Sequence, residues 1–99
     1  MNSIIKEDLE FIISSNLVDW ECFRDKSVLI TGANGMLPSY MVMTLVYLNR
    51  VRDMNIKVYA LVRNLAKAQK VFSEYSEEDG LHFIVSDYAV YLYYSYKVI

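Results

Sequence analysis

Val28-Leu29-Ile30-Thr31-Gly32-Ala33-Asn34-Gly35-Met36-Leu37-Pro38 decides how the chain is read. An apolar run with β-branched residues stops at a Thr-Gly corner, and a helical pattern follows almost at once. β-branched side chains suit a buried, pleated strand, and glycine is the residue that turns a chain through left-handed backbone. The stretch therefore predicts a strand, a tight turn and a helix N-terminus. Backbone N–H groups at such a terminus point outward with the positive end of the helix dipole behind them, an arrangement that suits a pyrophosphate. Gly35 lets the backbone come close to such a group with no side chain in the way. Where a third small residue is usual, this chain has Pro38. Proline is accepted in a first helical turn, because its missing N–H has no intrahelical partner there. Its bulk predicts weaker helix–strand packing or a small helix shift, with the donors of residues 36 and 37 intact.

The surrounding pattern extends this motif into a fold. A helix is expected from Ser3 to about residue 15, with Ile4, Ile5, Leu9, Ile12 and Ile13 on one buried face. Residues 16–26 read as an irregular connection in which Trp20 and Phe23 pack the leading segment against the sheet. Beyond the glycine turn, residues 37–50 read as a helix apolar nearly all round (Met41, Val42, Met43, Leu45, Val46, Leu48), hence buried on more than one side. Residues 56–62 form a second strand. Residues 64–75 form a helix with Leu65, Ala68, Val71 and Phe72 inward, residues 76–80 a solvated turn, and residues 81–85 a third strand. The order β-α-β-α-β with short connections predicts an α/β fold with a parallel sheet and right-handed crossovers, half of a doubly wound architecture. The divisions are a helical extension at residues 1–25, the α/β half at residues 26–87 and a tail at residues 88–99.

Composition bounds the function. A chain of 99 residues that is 55% hydrophobic supplies one small packed domain. The net charge of −2 gives no basic surface for nucleic acid. No apolar run approaches the roughly 20 residues of a membrane span. Lys6, Glu7, Asp8 and Glu10 exclude a signal-peptide core at the N-terminus. Cys22, the single cysteine, has no internal disulfide partner and no metal-ligand spacing around it, so a reducing, cytoplasmic setting is expected and no metal site.

Residues 27–64 resemble the extended short-chain dehydrogenase/reductase family, and within it the NAD-dependent epimerase/dehydratases that act on nucleotide sugars. The resemblance rests on Thr31-Gly32-x-x-Gly35, on Val58-Tyr59-Ala60-Leu61-Val62-Arg63 and on Phe83-Ile84-Val85-Ser86-Asp87, in order and at family spacing, over roughly residues 26–87. It implies a Rossmann-type fold and a bound NAD or NADP. The cofactor-binding set is then Thr31, Gly32, Asn34, Gly35, Met36, Leu37, Arg63, Asn64, Asp87 and Tyr88. Asn34 either fixes its own loop or contacts phosphate. Arg63 and Asn64 stand at the end of strand two, where an acid favours NAD and an arginine suits the 2′-phosphate of NADP. Arg63 is either that contact or a solvated helix-start residue. Asp53 precedes strand two and is not the counterpart acid. Asp87 either meets the adenine edge, with Tyr88 packing on the ring, or caps a turn.

The resemblance also implies a catalytic tyrosine with a lysine four residues later. Tyr93 and Lys97 have that spacing, with Ser95 between them, but they follow strand three directly, whereas the family's pair lies far downstream. No catalytic residue is assigned. The tail holds five of the nine tyrosines and reads as a fourth strand rather than a catalytic helix. The expectation is therefore a catalytically incomplete cofactor-binding portion, a truncated product or a natural short form. A nucleotide sugar is a ligand only of a full-length relative. An NADP-dependent carbonyl reductase fragment and a non-catalytic nucleotide-binding or interaction module are the alternatives. Self-association is expected through the exposed sheet and tail. His82, at the start of strand three, is read as structural and without partners.

Overall fold

The computed structural model describes residues 3–33 and 35–85. It is an α/β fold with a parallel three-stranded sheet in the order β1 (Ser27–Thr31), β2 (Lys57–Val62), β3 (Leu81–Val85). Helix α2 (Met36–Arg52) joins β1 to β2, and α3 (Leu65–Val71) with a 3-10 turn at Glu77–Asp79 joins β2 to β3. Helix α1 (Ser3–Ile13) and a 3-10 turn at Trp20–Phe23 precede the sheet.

Alternation along the strands builds the core. Val28, Val58 and Leu81 form one row across the sheet, and Ile30, Ala60 and Phe83 form the next. All belong to or pack on a single apolar cluster with Val42, Val46, Ala68 and Phe72 from the helices. Each fully buried aliphatic side chain there contributes about 2 kcal/mol. Helix α2 is buried without a break from Val42 to Leu48, because α1 packs on it while β1 and β2 pack elsewhere around it. A helix apolar nearly all round was expected to be buried on several sides, and it is. Pro38 neither kinks nor shortens it: α2 is continuous from Met36, with Pro38 third in the helix.

Helix α1 belongs to this core rather than standing apart from it. Leu9 and Ile13 are buried in the cluster, and Ile5 packs against it. Two tyrosines of α2 reach back to carboxylates of α1: Tyr40 Oη donates to Asp8 Oδ2 at 3.0 Å and Tyr47 Oη to Glu10 Oε1 at 2.9 Å. These bonds hold both phenols above their ordinary pKa, with burial the larger cause for Tyr47 and the bond to Asp8 for Tyr40. Ile4, expected inward, is 68% exposed, because one helix covers only a narrow strip of another. The helix also ends at Ile13, two residues before the expected limit. Trp20 and Phe23 do pack on the core, and their segment is a 3-10 turn capped by Asp19, whose carboxylate accepts from Glu21 N–H.

Helix α3 stops at Val71, not at residue 75, and Leu65 at its start is partly exposed. The chain beyond is held from outside the helix. Arg50 donates to the Glu74 carbonyl and makes a bidentate pair with Asp79 at 2.8 and 2.9 Å, while its guanidinium lies over the Tyr75 ring at 4.6 Å. The turn at residues 76–80, expected to be merely solvated, is therefore anchored. Asn49 anchors it a second time. Its Nδ2 donates to the carbonyls of Ile56 and Asp79, and its Oδ1 accepts from Ile56 N–H. His82, expected without partners, stacks on Tyr59 across the strand pair with ring centroids 5.3 Å apart.

Candidate functional site

Three features of the β1–α2 connection converge at the carboxyl end of the sheet. Gly32 is left-handed at φ +61°, and a Cβ built there meets nothing within 4 Å. The turn closes through Gly35 N–H donating to the Gly32 carbonyl at 2.9 Å. Ala33 N–H donates to the Leu61 carbonyl at 3.3 Å, which ties the turn to β2 two residues before Arg63. Gly35 is the N-cap of α2, and a Cβ there would stand 3.3 Å from the Gly32 carbonyl and 3.4 Å from the Pro38 ring. Pro38, where a third small residue is usual, thus stands close enough that a side chain at Gly35 would crowd its ring.

The electrostatics of this corner follow from what is left uncapped. The first helical N–H groups have no intrahelical partner and need a side chain, water or ligand. Asp19 caps its 3-10 turn and Asn64 caps α3, its Oδ1 accepting from Lys67 N–H at 3.1 Å. Gly35 offers no side chain to α2, and no acidic residue stands in its first turn. The amides of Met36 and Leu37 lie in exposed residues at the positive end of a 17-residue helix. Arg50 and Arg52 occupy the last turn, at the negative end. Ser39, whose hydroxyl donates to the Met36 carbonyl at 2.8 Å, is buried and braces the first turn.

The structure brings Thr31, Gly32, Gly35, Met36 and Leu37 together around this turn, with Arg63 and Asn64 beyond the end of the neighbouring strand. Asn64 serves α3 as a cap, its carbonyl oxygen accepting from Lys67 N–H. Asp53 is the left-handed C-cap of α2, at the opposite end of that helix. Asn34, Asp87 and Tyr88 lie outside the described residues, as do Tyr93, Ser95, Lys97 and the strand expected over residues 88–99. The contact from Ala33 to Leu61 and the Ser39 brace were missed from sequence. The first is made by backbone and has no residue-type signal, and the second is a single serine that the apolar pattern of α2 does not mark.

A cavity of about 570 Å³ lies away from this corner, between the end of α3 and β3, lined by Phe72, Tyr75, His82 and Phe83 among others. Among the described residues no cluster of His, Cys, Asp and Glu is arranged to hold a metal ion, and no helix is long and apolar enough to cross a membrane. Fold and corner define an α/β protein whose first parallel strand runs through a glycine turn into a long helix with a glycine N-cap and no side-chain cap among the described residues. No family model, curated protein or solved structure matches the chain.

Proposed function

We propose that the chain binds a dinucleotide, NAD or NADP, through the turn at residues 31–37, as the Rossmann-type cofactor-binding portion of a nucleotide-sugar epimerase/dehydratase. The observation that carries this reading is the N-terminus of α2: a glycine N-cap with no side-chain cap, no nearby acid and an open left-handed glycine before it. The pyrophosphate accepts from the amides of Met36 and Leu37, and the helix dipole supports its charge. The adenosine ribose lies toward Arg63 and Asn64 at the end of β2.

The donor set at that end favours NADP over NAD. No acid stands at residues 63 and 64 to accept from a 2′-hydroxyl, the contact that favours NAD. Arg63 and the Asn64 amide nitrogen offer donors, which suit a 2′-phosphate. Titration of the chain with NADP+ and NAD+, followed by amide NMR, tests both levels. The expected result is shifts at Gly32 and at residues 35–37 with either cofactor, and NADP+ tighter by about tenfold, or about 1.4 kcal/mol. Absence of shifts at the turn with both cofactors overturns the binding reading. Equal affinities overturn the preference alone. The chain's catalytic contribution is confined to holding the cofactor, so no turnover of a nucleotide sugar is expected from it.

A further inference from the structure

The methionines of the chain stand in very different surroundings. Met54 is fully buried and Met43 is 8% exposed, both within the apolar cluster, and Met41 packs against it partly buried. Met36 is 84% exposed. Met1 lies outside the described residues. Oxidation of a thioether follows its exposure, because the oxidant must reach the sulfur. Among the described residues Met36 is therefore the methionine most open to it.

The place of Met36 in the fold gives that chemistry a consequence. It is the first residue of α2. Gly35 N–H is given to the Gly32 carbonyl, Pro38 has no N–H, and Ser39 N–H returns to the Gly35 carbonyl at 2.9 Å. The helix thus starts with two N–H groups that have no intrahelical partner, those of Met36 and Leu37. Its first turn holds no acidic side chain, and Gly35 supplies no side-chain cap. The Met36 carbonyl accepts the Ser39 hydroxyl at 2.8 Å, which fixes the backbone from which the side chain projects. A thioether is a weak acceptor for such donors. A sulfoxide is a strong one. Its sulfur stands where glutamine has Cδ and its oxygen where glutamine has Oε1, the same number of bonds from Cα. An acceptor of that length in a first turn reaches backbone N–H groups.

We infer that Met36 is a reversible oxidation site that regulates dinucleotide binding at the turn, with a hydroperoxide as the oxidant. A sulfur lone pair attacks one peroxide oxygen, and the S–O bond forms as the O–O bond breaks. The attacked oxygen passes its proton to the departing one, so with hydrogen peroxide the products are a neutral sulfoxide and water. Sulfur gives up the electron pair that peroxide gains. The new oxygen then competes with a pyrophosphate for the Met36 and Leu37 amides, and a methionine sulfoxide reductase restores the thioether. This regulation rests on the dinucleotide reading of the same turn.

Hydrogen peroxide treatment of the full chain tests it, in a Cys22→Ser background because Cys22 is an exposed free thiol ahead of β1. Peptide mapping is expected to find the added oxygen on Met36 before Met41, Met43 or Met54. The Met36 and Leu37 amide signals are expected to shift on oxidation with no cofactor present. NADP+ binding is expected to weaken about fivefold, and to recover after treatment with methionine sulfoxide reductases of both stereospecificities. Met36→Gln is expected to show the weakened binding without peroxide. Met36→Leu, whatever its own affinity, is expected to lose none of it to peroxide, with circular dichroism confirming that each form is folded. Oxidation of the buried methionines as fast as Met36 overturns the site. A loss that persists in Met36→Leu, or a native chain that binds NADP+ equally well before and after oxidation, overturns the regulation alone. A native chain that binds neither NADP+ nor NAD+ overturns the dinucleotide reading and the regulation together.

Discussion

The chain turns at two left-handed glycines, Gly32 and Gly80, for opposite reasons. At Gly32 a built Cβ meets nothing within 4 Å, so only backbone conformation asks for glycine. At Gly80, with φ +87°, the same Cβ would stand 2.3 Å from the Ile56 carbonyl and 2.6 Å from Asn49 Nδ2. The second turn is closed by Asn49, Arg50 and Asp79, and its glycine exists because no space is left. The first turn is held by its own backbone and one bond to Leu61, and it leaves a helix terminus open. Glycine by type does not separate the two. Surroundings do: a Cβ at Gly32 meets nothing within 4 Å, and one at Gly80 has no room.

The largest effect expected from this contrast is at Gly80. Gly80→Ala forces the Ile56 and Asn49 contacts apart and strains the backbone, and should cost about 3 kcal/mol in chemical denaturation. A loss under about 1 kcal/mol would show that the turn is less crowded than it stands. Next is Asn49→Ala, which orphans the Ile56 amide and two carbonyls in a partly buried place. A loss of about 2 kcal/mol is expected, with no change in cofactor titration. Gly32→Ala meets no clash, so its cost is the left-handed conformation alone, about 1 kcal/mol. Its cofactor titration should weaken all the same, reversing the ranking of the two glycines between stability and binding. If Gly32→Ala and Gly80→Ala lower stability equally, the contrast between the corners fails.

The smallest effect is a pH dependence. The Arg50 guanidinium, hydrogen-bonded to Asp79, holds that carboxyl below its ordinary pKa despite partial burial. A folded pKa below the unfolded one gives stability that is present above about pH 4 and is lost as the pH falls through the folded value. Melting temperatures between pH 6 and pH 2 should therefore fall less steeply for Asp79→Asn than for the native chain. Parallel slopes would remove the ion pair from the account of why this corner is closed.

Element order was legible because it rests on local rules. The run Val28–Ile30 ahead of Gly32 predicted β1 and its turn, and the apolar circumference of residues 41–48 predicted a helix buried on several sides. Phe72 and Ala68 were read inward and are buried. The reading failed where a residue's environment is supplied from far along the chain. Ile4 fits the helical stripe of α1 but faces solvent, since α2 covers only the strip of Leu9 and Ile13. The helix expected to reach residue 75 ends at Val71, and Arg50, more than twenty residues earlier, holds the segment that follows. His82 found its partner in Tyr59 only through strand register. At the candidate site, the glycines and the amides of residues 36 and 37 were readable from spacing, while Asn64 was read as a ligand contact and is also a helix cap.

What the sequence determined by itself is therefore the succession of strand, glycine turn and helix, and the exposed donors of α2. Backbone sterics and apolar periodicity act within a few residues and need no distant partner. Tertiary structure alone decided which glycine turn is crowded and that α1 joins the core through Tyr40 and Tyr47. Each of those depends on atoms tens of residues apart meeting in space, and no local pattern encodes the space between them.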